Sequence, residues 1–371
     1  MSMIKILHPA DLHLDSAFEG LGAGKAAVRR EEQRAMLGRL AELAVSEGVD
    51  LVLLAGDLFD STSAYTQSVQ ELLRALRTIP APVFISPGNH DHYSARSAYA
   101  KLTLPENVHI FTKNAIECVE LPKLSVRVYG AAFTEKYSAP LLRSFKAERT
   151  EGVINLLCLH GEVGVRESVY DPISLDELAT SGIDYAALGH IHKASGLMKA
   201  GATWYSWPGC PEGRGFDETG EKTVSIVETD GVSCTLHPVC ISTRRYESIK
   251  VDVTGIDPLL AVHTLLAPDT VRDIYRITLT GETDTTPDMN RLRRNLSELF
   301  FELQLRDETH LRRNIWENAD DDTLRGVFLT KLKAKYDAAR DDSERRLIEH
   351  AARWGLAAMD RGEEVVSHED K

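Results

Sequence analysis

Short apolar runs alternate with amphipathic segments along the first hundred residues of the chain. The apolar runs at 4–7, 51–55 and 83–85 predict buried strands. Between them, 29–47 and 67–76 carry apolar residues at helical spacing, with charged residues on the opposite face. This repeated β-α-β order predicts a largely parallel sheet with right-handed crossovers.

After residue 118 the pattern changes to strands in which apolar and polar positions alternate. A further apolar run at 185–188 ends in a Gly-His pair. Two sheets that face one another, with helices outside, accommodate both halves of this pattern. The alternating strands are predicted at 125–131, 153–159, 203–207, 223–228 and 233–239.

Residues 245–284 have the pattern of a small β-α-β unit, and the chain beyond them is different in kind. Three apolar stripes at helical spacing predict helices there, with Ser343 as an N-cap and Gly362 as the glycine that ends the last helix. The stripes are Leu292, Leu296, Leu299 and Leu303; Leu324, Phe328, Leu332 and Tyr336; and Leu347, Ala351, Trp354 and Ala358.

Composition is that of a soluble globular protein with two or three domains. The chain has 371 residues, of which 43% are hydrophobic and 27% charged. No apolar stretch reaches the ~18 residues that a membrane helix needs. Five scattered cysteines without CxxC spacing disfavour a disulfide framework, and the first residues lack the features of a signal peptide. We therefore expect a cytoplasmic protein.

The formal net charge of −13 disfavours a simple nucleic-acid-binding protein. Non-specific affinity for DNA comes mostly from lysine and arginine side chains that neutralise phosphates. Two divalent ions at the scissile phosphate would supply about four positive charges locally. A nuclease with this charge would therefore need a partner or a local basic patch for tight DNA binding.

Five of the apolar runs end in residues of the types that bind metals. Carboxylate and amide oxygens suit hard divalent ions, whereas imidazole suits first-row transition metals, so the mixture predicts a mixed nitrogen and oxygen site. If these strand ends meet at one edge of a sheet, they supply too many groups for one ion and enough for two. The residues concerned are Asp11, His13, Asp57, Asp60, Asn89, His90, Asp91, His160, His190 and His192.

The order of these motifs resembles that of the calcineurin-like metallophosphoesterases. Asp-x-His, Gly-Asp-x-x-Asp, Gly-Asn-His-Asp and Gly-His-x-His follow one another, each after an apolar run. The opening at 8–21 is similar to that of SbcD-type DNA repair exonucleases, and nearest to their YhaO-like branch. The resemblance extends to about residue 285. It implies a four-layer α/β/β/α sandwich at 1–242, a small α+β cap at 243–285 and a C-terminal helical, partner-binding segment at 286–371.

The resemblance also implies a role for each site residue. Asp57 would bridge two ions, because a carboxylate can give one oxygen to each. His90 would protonate or steer the leaving oxygen. Asp91 would either orient His90 or only cap the turn after Asn89. The remaining ligands would be Asp11, His13 and His192 for one ion, and Asn89, His160 and His190 for the other.

Two further residues are expected around the metal site. Asp60 would hold His13 or the loop that carries Asp60 itself. Arg214 lies in a glycine-rich loop at 208–218 that resembles the rim of the family's active site. Its side chain would touch a phosphate, or the loop would be only a structural turn.

The resemblance implies 3′–5′ exonuclease and single-strand endonuclease activity on DNA in a repair complex. Mn²⁺ is the expected ion, with Mg²⁺, Fe²⁺ and Zn²⁺ as alternatives. An SMC-like ATPase of the SbcC type is the expected partner, bound by the C-terminal helices; a homodimer stays open, and no membrane is involved. The alternatives are a phosphodiesterase or phosphatase for small molecules, and a scaffold with a vestigial site.

Overall fold

The structure, a computed structural model of the chain, describes residues 3–267, 270–311, 315–317 and 319–361. The chain divides into two compact units. The first comprises Met1–Ile249, Leu265–Thr278 and Arg293–Arg306. The second comprises Lys250–Thr264, Leu279–Leu292 and Asp307–Lys371.

The strands of the described chain are numbered in chain order. They are β1 Ile4–His8, β2 Leu51–Leu54, β3 Val83–Ile85, β4 Val108–Ile110, β5 Glu117–Leu121, β6 Val126–Gly130, β7 Ile154–His160, β8 Glu162–Val163, β9 Pro172–Ile173, β10 Tyr185–Gly189, β11 Met198–Ala200, β12 Thr203–Ser206, β13 Thr223–Thr229, β14 Cys234–Cys240, β15 Tyr246–Asp252, β16 Ile274–Thr280, β17 Glu282–Thr283, β18 Glu302–Asp307 and β19 His310–Leu311.

The helices are numbered in the same way. They are α1 Ala23–Ser46, α2 Thr66–Thr78, α3 Leu175–Thr180, α4 Pro258–Thr264, α5 Met289–Leu296, α6 Leu324–Asp337 and α7 Asp342–Arg361. Short 3₁₀ helices lie at Ala98–Lys101, Thr270–Arg272 and Ser297–Leu299.

Two six-stranded sheets form the main part of the first unit. One has the order β14-β13-β1-β2-β3-β4, and the other β11-β12-β10-β7-β6-β5. Strands β1 to β4 are parallel, as the β-α-β pattern predicts, and β13 pairs with β1 in the antiparallel sense. In the second sheet β12, β10, β7 and β6 are parallel. Each sheet therefore has a parallel centre whose strands end at a common edge.

Three apolar cores hold four layers together. One core lies between the sheets and joins residues such as Leu53 of β2 and Leu156 of β7. A second joins the outer face of the first sheet to α1 and α2 through residues such as Leu40 and Leu72. The third packs Leu178 of α3 against the second sheet. The predicted α/β/β/α arrangement is confirmed.

The predicted helical stripe that included Leu303 is wrong at its end. Helix α5 ends at Leu296, and Leu303 lies in β18, which joins β15 and β16 in a three-stranded sheet. Residues 301–306 alternate apolar and polar side chains, which is the pattern of a strand. The separation of Leu299 and Leu303 along the chain fits both the helical period of 3.6 residues and the strand period of 2 residues. Pairing in the sheet decides between a helix and a strand.

The other two stripes lie on helices, as predicted. Leu329 of α6 and Ala352 of α7 share a small core with Ala319. Ser343 is not the N-cap, because α7 begins at Asp342 and the carboxylate of Asp341 accepts a bond from the Glu344 backbone. Gly362 lies outside the described residues. Among the helices that the structure describes, none has the length and apolarity to cross a membrane.

Candidate metal centre

The predicted metal ligands lie at the ends of β1, β2, β3, β7 and β10, and Arg214 lies in the loop between β12 and β13. Backbone bonds join the first two of these loops: the Asp11 N–H donates to the Gly56 carbonyl at 3.0 Å, and the His13 N–H to the Asp57 carbonyl at 2.9 Å. Because parallel strands of both sheets end at one edge, side chains that are far apart in sequence meet there.

The backbone is strained at four of the predicted ligands. Asp11, His13, Asp57 and His190 have φ values of 53°, 43°, 50° and 95°. Such conformations are uncommon for residues other than glycine and cluster at functional sites. A turn separates the directions of the His190 and His192 side chains, and its positive φ is at His190 rather than at Gly189.

Gly189 is required for another reason, which is close approach. A methyl group there would lie 1.7 Å from the carbonyl oxygen of Ala55. At Gly88, a methyl group would lie 2.3 Å from a carboxylate oxygen of Asp57. The glycines of these motifs therefore allow the five loops to pack around one point.

One half of the centre contains His13 and His192. Their Nε2 atoms face each other at 3.1 Å, and the Asp57 Oδ2 atom lies 3.7 Å from His13 Nε2. Asp11 offers a carboxylate oxygen within 4.8 Å of both imidazoles. Donor atoms that share one ion at about 2.1 Å are roughly 3 to 3.5 Å apart, so this group fits one ion.

The other half contains Asn89, His160 and His190. The Asn89 amide oxygen lies 2.9 Å from His160 Nε2 and 3.1 Å from His190 Nδ1. The Asp57 Oδ2 atom lies 3.4 Å from His160 Nε2, so Asp57 is next to both halves. Asp11 is also near both halves, because one of its carboxylate oxygens lies within 4.8 Å of donor atoms of Asp57 and His160.

Three of the four imidazoles have a hydrogen-bond acceptor at the outer nitrogen, and the outer nitrogen of His190 lies near a carboxylate. An acceptor at the outer nitrogen leaves the inner lone pair free, as in metal-bound histidines. His13 Nδ1 lies 3.0 Å from Asp60, and His192 Nδ1 2.8 Å from Glu218. His160 Nδ1 lies 3.0 Å from the Ala55 carbonyl, and His190 Nε2 3.3 Å from Glu162.

The orientation of His13 and His192 shows that the residues of the centre fit divalent ions. With their Nδ1 protons directed at carboxylates, His13 and His192 turn two Nε2 lone pairs toward each other at 3.1 Å. Two lone pairs at that distance repel unless a proton or a cation lies between them. Both carboxylates at the centre, Asp11 and Asp57, are buried. The chemistry of the donor set therefore fits divalent metal ions.

The pKa values of the buried groups at the centre also show that positive charge is favourable there. Burial lowers the pKa of His160, but the Asp57 and Asp11 carboxylates outweigh burial and raise it to about 9. Burial also acts to raise the pKa of Asp57, yet His160 and His13 hold it well below its usual range. Without metal, His160 holds a proton that partly neutralises these carboxylates.

His90 lies at the mouth of the centre and is the most exposed of these imidazoles. Its side chain is 42% exposed, and its ring centroid is 4.8 Å from that of His13. Its backbone N–H donates to Asp57, and its Nδ1 lies 3.1 Å from the Asp60 carbonyl. Its Nε2 atom has no hydrogen-bond partner among the described residues, and one of its ring nitrogens lies within 4.8 Å of donor atoms of His13 and Asp57.

Asp91 does not orient His90, and that expectation is wrong. The buried Asp91 carboxylate accepts bonds from the backbone N–H groups of Gly88, Leu58 and Phe59 and from the Tyr99 hydroxyl. Burial, helped by the Asp57 charge, raises its pKa to about 6. Asp91 thus caps the turn, which was the alternative expectation, and it also joins the second and third loops.

Arg214 does not point freely to solvent. Its guanidinium bonds Glu218 at 2.7 Å and Asp60 at 3.1 Å, and its Nη2 lies 2.9 Å from His192 Nδ1. His192 Nδ1 cannot accept from Arg214 while it donates to Glu218, and the Glu218 bond is the one that leaves Nε2 free. Asp60 contacts His13, as predicted.

Sequence reasoning missed Glu218 and Glu162. Burial raises the pKa of Glu218, but bonds from His192 and Arg214 outweigh burial and hold it well below its usual range. Glu162 follows His160 by two residues, in the Leu-His-Gly-Glu sequence of the fourth run. Glu162 could have been found in the sequence, because it is close to the histidine ligand His160. Glu218 approaches His192 only in the fold.

Comparison with known proteins agrees with this fold and site. A model of the calcineurin-like phosphoesterase family matches residues 4–194, about half of the chain, and the chain belongs to this family. Members are phosphoesterases that use divalent metals, so the chain is a metal-dependent hydrolase of phosphate esters.

The relatives share modest identity with the chain. An uncharacterized metallophosphoesterase, YhaO of Bacillus subtilis, is 29% identical over 92% of this chain and 87% of its own. The DNA double-strand break repair protein Mre11 of Saccharolobus solfataricus is 26% identical over 90% of this chain and 87% of its own. The SbcD component of the nuclease SbcCD of Bacillus subtilis is 26% identical over 65% of this chain and 71% of its own.

Proposed function

We propose that this chain is a two-metal phosphodiesterase that acts on DNA, as a 3′–5′ exonuclease and a single-strand endonuclease. The observation that carries the proposal is the convergence of four inward-facing imidazole nitrogens on Asp57 and Asn89. Relatives over most of the chain include proteins named for nuclease activity and double-strand break repair, which supports DNA as the substrate.

In this proposal the centre would hold two ions, with Mn²⁺ as the activating metal. Asp57 would be a ligand of both, and the other ligands would divide as the resemblance implies. When bound, such ions neutralise charge on the phosphate and lower the pKa of water. The ligand sets are Asp11, His13 and His192 for one ion, and Asn89, His160 and His190 for the other.

His90 acts on the leaving group. Its Nδ1 is held near the Asp60 carbonyl at 3.1 Å, so the proton on Nδ1 has an acceptor and Nε2 faces the phosphate. A protonated Nε2 can donate to the departing 3′-oxygen, which suits an imidazole near neutral pH. Asp60, at 3.0 Å from His13, keeps the neighbouring ligand in its tautomer.

We propose an SMC-like ATPase as the partner, bound through the C-terminal helices. Leu347 and Trp354 of α7 are 71% and 47% exposed, and Leu324 of α6 is 78% exposed. Exposed apolar side chains on neighbouring helices are typical of a binding surface. Such an ATPase would also supply the basic surface that a chain of net charge −13 lacks.

The same net charge favours the second candidate, a phosphodiesterase or phosphatase for a small molecule or nucleotide. A small substrate needs no extended basic surface, and one metal site serves many substrates. The observation that would favour it over a nuclease is fast hydrolysis of a small ester without cleavage of DNA.

A nuclease assay tests the proposal. The full chain is incubated with end-labelled linear DNA, with hairpin DNA and with a chromogenic phosphodiester, each with Mn²⁺ and with chelator. We expect Mn²⁺-dependent loss of the DNA label, and no cleavage in chelator or by the Asp57→Asn variant. Hydrolysis of the chromogenic ester alone would favour the small-molecule candidate. Cleavage that survives chelation would contradict a metal-dependent mechanism.

A further inference from the structure

Arg214 lies at the junction of two carboxylates in the first unit. Its Nη1 bonds Asp60 at 3.1 Å and its Nη2 bonds Glu218 at 2.7 Å. The Arg214 backbone N–H also donates to Glu218, at 2.8 Å. The side chains of Arg214, Glu218 and Asp60 are 19%, 5% and 31% exposed, so the Glu218 side of this junction is shielded from water and the Asp60 side is partly exposed.

These two carboxylates are the acceptors of two histidine ligands in the same half of the centre. Asp60 lies 3.0 Å from His13 Nδ1, and Glu218 lies 2.8 Å from His192 Nδ1. The two imidazoles then face each other through Nε2 at 3.1 Å. A chain of bonds therefore runs from His13 through Asp60, Arg214 and Glu218 to His192, and the two imidazoles at its ends would hold the ion.

The other half of the centre has no equivalent junction among the described residues. His160 Nδ1 lies 3.0 Å from the Ala55 carbonyl in a hydrogen bond, and His190 Nε2 lies 3.3 Å from a Glu162 carboxylate oxygen without one. Within the described ranges, no lysine or arginine pairs with Glu162. The orientation of these imidazoles therefore does not depend on a shared cation.

An arginine suits this junction for a geometric reason. Its planar guanidinium presents several N–H groups at fixed angles, so one side chain can hold two carboxylates in a fixed relation. Asp60 and Glu218 carry like charges, and without a cation between them they would repel and be costly to bury. Holding the carboxylates in turn fixes the tautomer and the rotation of both imidazoles.

We propose that Arg214 is a positioning residue for one of the two ions, the ion held by His13 and His192, and that it does not bind the substrate phosphate. This inference rests on the ligand sets of the proposed function. It predicts that loss of Arg214 selectively weakens the binding of that ion. The ion of Asn89, His160 and His190 should stay bound.

The test compares Mn²⁺ binding by the full-length wild type, Arg214→Gln and the matched control Glu162→Gln, using two-site calorimetric titration. We expect Arg214→Gln to weaken one dissociation constant by roughly 10- to 100-fold and to leave the other within about threefold. Crystals at limiting Mn²⁺ should lose anomalous signal between His13 and His192 only. Glu162→Gln should show the reverse pattern.

Arg214→Lys separates geometry from charge, and unfolding in EDTA monitors the fold. Lysine keeps the charge but lacks the planar fork, so we expect it to resemble Arg214→Gln in metal binding. The proposal would be overturned if the binding of both ions were weakened equally, or if the binding of neither ion were weakened. Unchanged metal binding with a raised KM, which indicates a phosphate contact, would also overturn it, as would unfolding of both variants in EDTA.

If the proposed function is wrong, the same measurements give a result that differs from failure of the Arg214 proposal. A wild type that binds two ions but cleaves no DNA contradicts the DNA substrate, while selective loss of one ion in Arg214→Gln still supports the positioning role. A wild type that binds fewer than two ions contradicts both.

Discussion

At the scale of single residues, His90 separates metal binding from chemistry. Its Nδ1 contacts the Asp60 carbonyl, and its side chain is 42% exposed beside buried ligands. We predict that His90→Ala retains both ions and DNA affinity but loses turnover by about 10²- to 10⁴-fold, as expected for a general acid. Metal titration and single-turnover kinetics on the same preparation check this. Loss of an ion in the variant would make His90 a ligand instead.

His160 predicts how metal affinity depends on pH. The carboxylates of Asp57 and Asp11 raise its pKa to about 9 in the metal-free protein, despite burial. Below that pH an ion must displace a proton, so the affinity for the ion bound by His160 should rise by up to about tenfold per pH unit between pH 7 and pH 9. Calorimetry in buffers of different ionisation enthalpy should show about one proton released at pH 7. Equal heats in all buffers would contradict this.

The types of residue at the centre were predictable, whereas several of their contacts were not. Asp57 and His160 follow apolar runs, so their place at a strand end is visible in the sequence. Whether Asp91 faces His90 or the backbone depends on the path of two other loops, since its partners include Leu58 and Tyr99. Contacts between loops are decided by the fold.

Among the elements of the fold, the loop between β8 and β9 holds a buried carboxylate that destabilises the protein when ionised. Asp171 is buried, one carboxylate oxygen accepts from the Leu141 backbone, and the other has no partner among the described residues. Burial raises its pKa to about 7. The folded protein therefore binds this proton more tightly than the unfolded chain, and stability falls as pH rises from about 4 to about 7.

We predict that Asp171→Asn raises the free energy of unfolding at pH 8 by roughly 1 to 3 kcal/mol, because the amide carries no charge to bury. At pH 4 the wild-type carboxyl is protonated, and the variant should differ little. Urea unfolding in EDTA at both pH values measures the difference. An equal effect at pH 4 and pH 8 would show that charge is not the cause.

Strand positions were predictable where the apolar pattern has one period. The predicted strand at 83–85 is β3, and the predicted strand at 125–131 contains β6. The pattern failed at Leu303, where the helical and strand periods coincide over a few residues. Pairing of β18 with its neighbours in the sheet settled that ambiguity, and pairing is not visible in a short segment of sequence.

For the molecule as a whole, the net charge of −13 is the reason that the proposed function includes a partner to hold DNA. The proposed partner surface is the exposed side of α7, where Leu347 is 71% and Trp354 47% exposed. We predict that the double variant Leu347→Glu and Trp354→Glu folds like the wild type but no longer co-purifies with an SMC-like ATPase. Both side chains lie outside the small core of α6 and α7, so their loss should cost little stability.

The matched control is Val232→Glu, a substitution at a side chain that is 77% exposed in the first unit. It should retain the partner. Retention of the ATPase by the double variant would contradict the proposed surface, and unfolding of the double variant would show that the two side chains are part of the core.

The family of the chain was predictable because five apolar runs that end in metal-binding residue types occur in a fixed order, with the ligands at 11–192. Helices α6 and α7 were also predictable from their apolar stripes. Their role is a separate matter, because one face of such a pair packs on its neighbour and a single sequence does not reveal what the other face binds. Leu329 is buried in this pair while Leu347 is exposed.

In the proposed centre, Asp57 is a ligand of two ions. Anomalous diffraction from crystals of the full chain grown with Mn²⁺ tests this. We predict two peaks about 3.5 to 4 Å apart, with one Asp57 carboxylate oxygen on each ion. A single peak, or an Asp57 carboxylate turned away from both peaks, would contradict it.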